Sequence, residues 1–423
     1  MRIVLFTGKG GVGKTTSAAA CAVRAARSGT PTLVMSTDAA HSLGDALDVS
    51  LTAGEPVEVE PRLDALQVSA PGRVGTAWRV VQDYLLEVFE TLGIDPVVGE
   101  ELTSLPGAEE IAALLELRAR AESWSWDLVV VDCAPTAETL RLVALPEALA
   151  WHLERLLPAQ RGLMRTLRPA AAAAAGMPLP SPEVASSVAG WSRQMREVQA
   201  MLTGPSASVR LVLTPERVAI AEARRTWTSL ALYGFAVDGV VVNRVIPAVG
   251  PDGGDAWRHS WNEAQQAGLD EVAESFAGVP VVRVPYLAGE PIGPDALDAL
   301  AGLAEGDVAT EDDPLGLLAP IRNGAQARLR VRRSDEGYVL SLPLPLVAAP
   351  QVDLKRRAGE LLLTVGDHRR VLSLPAVLQR CVVRGARVHD GTLRVTFEPD
   401  PDLWPVPSES LEPEHGMRRV THG

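Results

Sequence analysis

Gly8-Lys9-Gly10-Gly11-Val12-Gly13-Lys14-Thr15 decides how this chain is read. The apolar run Ile3-Val4-Leu5-Phe6 before it reads as a buried strand. Ser17-Ala18-Ala19-Ala20-Cys21-Ala22-Val23 after it reads as a helix. Gly8, four residues, then Gly13-Lys14-Thr15 is the phosphate-binding P-loop pattern in its strand–loop–helix setting. Gly10, Gly11, Val12 and Gly13 supply backbone N–H groups that wrap a phosphate where positive φ is cheap and no Cβ intervenes. Lys14 offers an ammonium to the β- and γ-phosphates, Thr15 a hydroxyl for Mg²⁺, and the helix start its partial positive charge. A rival pattern overlaps it: Gly8, Gly10 and Gly13 spell G-x-G-x-x-G, with Asp38 at a dinucleotide-like distance. Lys14-Thr15 directly after the last glycine favours the triphosphate. So does lysine usage: among 40 Lys and Arg only Lys9, Lys14 and Lys355 are lysines, and two of them sit in this loop.

Bulk properties narrow the class. A chain of 423 residues is expected to form two or three domains, and 47% hydrophobic residues suffice for a large core. A net charge of −13 argues against general nucleic-acid binding and against an anionic membrane surface. Cys21, Cys133 and Cys381 are far apart and form no C-x-x-C, so a disulfide scaffold, a zinc knuckle or a local iron–sulfur site is not expected. The sequence enters a strand at once, so no signal peptide is expected, and no apolar run suits a spanning helix. The expected location is cytoplasmic.

Strand-like runs recur at 3–6, 32–35, 128–131, 209–213, 239–242 and 281–284, with helical stretches between. They are continuous and β-branched, which suits a parallel sheet covered on both faces. Gly29 is a good left-handed stop for the first helix. The rhythm predicts a doubly wound α/β domain whose ligands lie beyond the carboxyl ends of its strands. After the second strand comes Ser36-Thr37-Asp38-Ala39-Ala40-His41-Ser42-Leu43-Gly44-Asp45. After the third comes Asp132-Cys133-Ala134-Pro135-Thr136-Ala137-Glu138-Thr139-Leu140-Arg141. An apolar strand ending in Asp132 suits a Walker B carboxylate facing the loop threonine. A helix N-cap is the structural alternative for Asp38 and Asp132. Asn243 ends a later strand with an amide able to donate to and accept from a base edge, or to cap a turn.

In order and spacing, residues 8–16, 36–45 and 132–146, Asn243 and Val284-Pro285-Tyr286-Leu287 resemble the arsenical-pump and guided-entry family of deviant-Walker ATPases. The resemblance implies ATP and Mg²⁺ as cofactors, with residues 10–16, Thr16 included, around the phosphates. It implies that Lys9 reaches across a homodimer to the partner's nucleotide and that Asp38 orients the attacking water. Asp132 and Thr15 would hold Mg²⁺, while Asn243 and Pro285 would contact adenine. The chain departs from the family pattern at Ala39, where Pro is usual, and at Ala137-Glu138, where Gly-His is usual. The paired zinc cysteines of guided-entry members are missing from Asp255-Ala256-Trp257-Arg258-His259-Ser260, and arsenite-binding cysteines are not recognisable. Any dimer must therefore close without zinc.

A helical region at about 140–205 interrupts the sheet pattern. Val184, Val188, Trp191, Met195, Val198 and Leu202 form one stripe of a helix. Met164, Met177, Met195 and Met201 bring four of the chain's seven methionines there. Such a stripe is either a pliable surface for an apolar client or an ordinary face packed on the domain. Residues 170–175, an alanine run closed by Gly176 and prolines, read as a flap or a linker. An acidic linker at 305–324 then separates the ATPase domain, 1–304, from a region of period two. Leu340, Leu342 and Leu344 alternate, as do Leu361, Leu363 and Val365, and Leu393, Val395 and Phe397. Asp390-Gly391 is a tight hairpin turn. Residues 325–398 thus read as a small all-β sandwich, and 399–423 as a loose tail. With Gly337-Tyr338-Val339-Leu340, Leu374-Pro375 and Gly391-Thr392-Leu393, the sandwich resembles the α-crystallin fold of small heat-shock proteins. That implies binding or assembly through strand edges.

The expected fold is therefore a doubly wound, mostly parallel P-loop NTPase with a helical insertion, followed by a β-sandwich. The expected function is an ATP-hydrolysing dimeric switch for an apolar cargo or membrane-protein partner, neither nucleic-acid binding nor membrane-spanning. The alternatives are the ATPase subunit of an arsenite or antimonite pump and a scaffold that binds nucleotide without hydrolysing it. Partition ATPases share the loop, but no membrane-targeting helix or DNA-binding surface is found.

Overall fold

The structure is a computed structural model. It describes residues 1–38, 42–68, 83–84, 86–87, 90, 108–123, 125–134, 181–248, 256–306, 329–357, 359–366 and 368–403. Ala39, Asp255, the pair Ala137 and Glu138, residues 140–180, most of the acidic linker and the tail from 404 lie outside them. Two compact units emerge: Met1–Arg328 with Pro343–Leu346, and Leu329–Leu342 with Val347–Gly423.

Nine strands build the first unit's sheet, in the order β3-β4-β2-β5-β1-β6-β7-β8-β9. The six runs read from the sequence become β1 (Arg2–Thr7), β2 (Thr32–Ser36), β5 (Leu128–Asp132), β6 (Ala207–Leu213), β7 (Val237–Val245) and β8 (Val281–Pro285). These six pair in parallel, so their carboxyl ends share one edge. Three strands were not expected. β3 (Val57–Glu60) and β4 (Leu63–Gln67) form a hairpin that adds to β2, and β9 (Glu305–Gly306) closes the far edge antiparallel to β8. The sheet thus takes in the first two residues assigned to the linker.

Both faces of the sheet are covered, which explains the continuous apolar strands. Ile3 and Leu5 face one core cluster, shared with Leu33, Val129 and Leu211. Val4 and Phe6 face the other, shared with Val34, Val130 and Val241. Helix α1 (Lys14–Arg27) and helix α2 (Ser42–Leu47) lie on the second face. The alanines at 18, 19, 20 and 22 let α1 pack close to the strands. It ends at Arg27, with Ser28 as its cap and then Gly29, whose φ of 100° no β-carbon residue takes cheaply.

The first face carries α3 (Ala108–Glu122), α4 (Pro182–Leu202), α5 (Arg217–Leu232) and α6 (Ala256–Ser275). In α4 the whole stripe of Val184, Val188, Trp191, Met195, Val198 and Leu202 is buried, with Val198 and Leu202 in the core cluster itself. The packed-face reading therefore holds for that stripe. α7 (Pro294–Gly302) returns to the second face, where its Leu297 and Leu300 join the cluster lined by α1.

The second unit is built on two antiparallel sheets. β10 (Arg330–Ser334), β11 (Gly337–Pro343), β15 (Cys381–His389) and β16 (Thr392–Pro399) form one antiparallel sheet, in the order β10-β11-β16-β15. β12 (Val352–Arg357), β13 (Glu360–Val365) and β14 (His368–Ser373) form the other, with a short helix α8 (Ala376–Gln379) after it. The residues predicted to point inward are buried: Leu340 and Leu342, Leu361, Leu363 and Val365, and Leu393, Val395 and Phe397, while Leu344, also buried, lies in the segment Pro343–Leu346 that belongs to the first unit. Asp390 (φ 47°) and Gly391 (φ 61°) make the two-residue turn between paired His389 and Thr392. Two successive positive φ values are the mark of a type I′ hairpin. Arg356, on β12, donates to the Cys381 carbonyl of β15 and so joins the two sheets.

Candidate functional site

Strand register assembles the site. β2, β5 and β1 are neighbours, with Ser36 opposite Asp132 and Asp132 opposite Phe6. The segments that follow these strands therefore leave the sheet side by side. The loop after β1 rests on the ends of β6 and β7. A Cβ at Gly8 would collide with the Val212 carbonyl of β6, and one at Gly13 with the Asn243 amide of β7. Gly11 and Gly13 also hold φ of 79° and 91°. The glycine spacing is thus required by two close approaches and two left-handed residues.

Within the loop, Lys9, Gly10 and Gly11 are exposed while Lys14 is buried. The Lys14 ammonium donates to the Lys9 carbonyl at 3.4 Å, a long bond that a better acceptor can displace. Thr15 donates through Oγ1 to Asp132 Oδ2 at 2.8 Å. Ser36 Oγ reaches the same oxygen at 3.3 Å. Asp132 Oδ1 is buried and has no partner. Burial pushes the Asp132 carboxyl up to about 6, against the Thr15 hydrogen bond and the Lys14 charge, which pull it down. Such a carboxylate is short of positive charge. An oxygen-only donor set of one hydroxyl and one carboxylate with a spare buried oxygen suits Mg²⁺. Among the described residues no cluster of three or more His, Cys, Asp or Glu could hold a metal by itself. That is the usual condition for Mg²⁺, which shares its shell with phosphates and water.

Asp38 leaves β2 just beyond this point. Its backbone is tied at both ends: its N–H donates to Ser36 Oγ at 3.2 Å, and its carbonyl accepts from Gln67 Nε2 at 2.8 Å. Thr37 couples the two strand ends further. Its N–H donates to the Asp132 carbonyl at 3.0 Å, and its Oγ1 accepts from the Ala134 N–H at 3.2 Å. Ser36 and Gln67 carry no assignment in the sequence reading. The contact of Ser36 with Asp132 exists only through strand pairing. Gln67 ends β4, a strand whose Leu63-Asp64-Ala65-Leu66-Gln67 has little β propensity.

Lys14, Thr15, Thr16, Asp38 and Asp132 thus gather around one loop. Asn243 and Pro285 lie at the ends of adjacent strands β7 and β8, where Val245 pairs with Pro285. Asn243 is buried, and its Nδ2 donates to the Val12 carbonyl at 2.8 Å while its Oδ1 accepts from the Arg244 N–H at 2.9 Å. The amide read as a base contact is therefore engaged with the phosphate loop. Cys21 and Cys133, both buried, sit in α1 and beside the strand end of β5, and Cys381 is buried in the second unit.

Residues 1–305 match the sequence model of the anion-transporting ATPase family, and residues 335–397 match that of an HSP20-like domain found in ArsA. An uncharacterized protein of Streptomyces coelicolor is 38% identical over 96% of this chain and 99% of its own. A protein of Chlorobaculum tepidum, provisionally named an arsenical pump-driving ATPase, is 32% identical over 94% of this chain and 96% of its own. A Trypanosoma cruzi protein named as an ATPase ASNA1 homolog is 28% identical over 70% of this chain and 89% of its own.

Proposed function

The chain belongs to the anion-transporting ATPase family and is an ATPase, and on that premise we propose that it works as a Mg²⁺-dependent homodimeric switch for an apolar protein cargo or membrane-protein partner. The observation that carries the Mg²⁺-dependent part of this reading is the Thr15–Asp132 contact at 2.8 Å with a second, unpartnered oxygen on the same buried carboxylate. Lys14 and the N–H groups of residues 10–16 bind the β- and γ-phosphates. Thr15 and Asp132 hold Mg²⁺, which when bound neutralises charge on the phosphate oxygens. Asp38, its backbone fixed by Ser36 and Gln67, orients the attacking water and accepts a hydrogen bond from it. Pro285 borders the base.

Lys9 supports the dimeric part of the proposal by its exposure on the loop. From there its ammonium reaches a second copy's phosphates and stabilises charge in the transition state. A cation supplied in this way is worth about 10³–10⁵ in rate. The cargo surface must be built from residues other than the α4 stripe, which faces the core. Among the described residues no helix is long and apolar enough to cross a membrane.

The test is phosphate release from ATP by the full chain, with and without Mg²⁺. Turnover that needs Mg²⁺ and disappears in Lys14→Ala is the expected result. Nucleotide binding without turnover would leave a scaffold rather than a switch. A second reading, the ATPase of a metalloid pump, is favoured by the names of several relatives. It requires arsenite or antimonite to raise the rate, and a flat titration ends it.

A further inference from the structure

We infer that Asn243 is a positioning residue for the phosphate loop, fastening it to β7 whatever base the nucleotide carries. The inference rests on the ATP-site reading and goes beyond the adenine contact that the family resemblance implies. Three observations lead to it. Asn243 is 7% exposed, so its amide must be satisfied by protein. Its Nδ2 donates to the Val12 carbonyl at 2.8 Å in a buried bond. Its Oδ1 accepts from the N–H of Arg244, a residue held at φ 59°, where side chains other than glycine are strained. The strand end is thus bent to offer the amide in one orientation, with the Nδ2 side toward the loop.

The Val12 carbonyl is a consequential place to hold. Val12 lies between Gly11 and Gly13, both at positive φ. In such a loop the carbonyls must turn outward for the N–H groups to converge on an anion. The Val12–Gly13 peptide is planar and trans, so its C=O and N–H point in opposite directions. Fixing the carbonyl on Asn243 therefore aims the Gly13 N–H to the opposite side. Gly13 must also lack a Cβ because the Asn243 amide occupies that space. Loop and amide are fitted to each other, and the loop's anion geometry depends on a residue 231 positions away in the chain.

The experiment compares two ligands that share a triphosphate and differ in the base. Mg·ATP and Mg·tripolyphosphate are titrated calorimetrically into wild type, Asn243→Ala and Asn243→Leu. Leu is close to Asn in shape, carries no charge and has no N–H to give to Val12, so it serves if the alanine variant folds poorly. The expected result is that affinity for both ligands falls by a similar factor, about tenfold, the size of one lost buried hydrogen bond. The ATP-to-GTP affinity ratio is expected to stay as in wild type. Loss of ATP binding with tripolyphosphate binding intact would mean that Asn243 reads the base, and the inference falls. Unchanged affinity for both ligands overturns it equally. Wild type that binds neither ligand removes the nucleotide site itself, a separate and earlier failure.

Discussion

Lys9 and Lys14 stand five residues apart and differ in exposure, which separates the roles proposed for them. Lys14 is buried against its own loop, so its ammonium has one place to go when a phosphate arrives. Lys9 is exposed on the same loop, free of the packing that holds Lys14. Lys9→Ala is therefore expected to bind ATP within about threefold of wild type and to lose at least about 10³ in turnover. Equilibrium binding and steady-state phosphate release measure the two separately, and unchanged turnover ends the claim. The thiols bear on the metalloid reading. Cys21, Cys133 and Cys381 are all buried, and burial pushes the Cys381 thiol up, away from the reactive thiolate. A thiol reagent is expected to label none of the three rapidly in the folded chain and all three in denaturant. Fast labelling of Cys21 or Cys133 would reopen the case for a metalloid site.

Elements fix what single residues cannot. β4 places Gln67 so that it grips the carbonyl of Asp38, and β2 places Ser36 between Asp132 and Asp38. Gln67→Ala is expected to lower kcat about tenfold and leave ATP affinity unchanged, because one held backbone group is released and no phosphate contact is lost. A parallel fall in affinity would show that β4 supports the whole loop instead. At the opposite edge of the same sheet, Asp238 pairs with Arg2 at 2.7 Å and with Arg210 at 3.3 Å, all three being largely buried. Burial lowers the Arg2 pKa even beside Asp238, a sign that desolvation outweighs the pairing there. Asp238→Ala strands two buried guanidinium groups and is expected to cost about 3 kcal/mol or more in urea unfolding. A loss below about 1 kcal/mol would mean that water reaches the cluster.

For the whole molecule, the proposal couples chemistry to assembly. If Lys9 completes the site of a second copy, the closed state forms around bound nucleotide and opens after hydrolysis. Asp38→Asn should then bind Mg·ATP, fail to hydrolyse it and sediment as a dimer, while the nucleotide-free chain sediments more slowly. A variant that hydrolyses normally assigns the water to another group, and one that stays monomeric at every nucleotide state removes the dimer. The second unit adds a two-sheet β fold matched by an HSP20-like family model, and its strand edges are suited to association.

The local and periodic features of this chain were legible in the sequence. Glycine spacing set the loop, β-branched runs set the six parallel strands, and period-two leucines set the inward face of the β unit. Each of these depends on neighbours a few residues away, through φ/ψ limits and the alternation of side chains. The α4 stripe shows the limit: its spacing announced an apolar face but was equally consistent with a client surface, and only burial against the core decided between them. Tertiary structure likewise decided that Ser36, Asp132 and Thr15 share a carboxylate, that Gln67 holds Asp38, and that Asn243 grips Val12. Those contacts join residues 29 to 231 positions apart, and they arise from strand order and register, which no local pattern encodes.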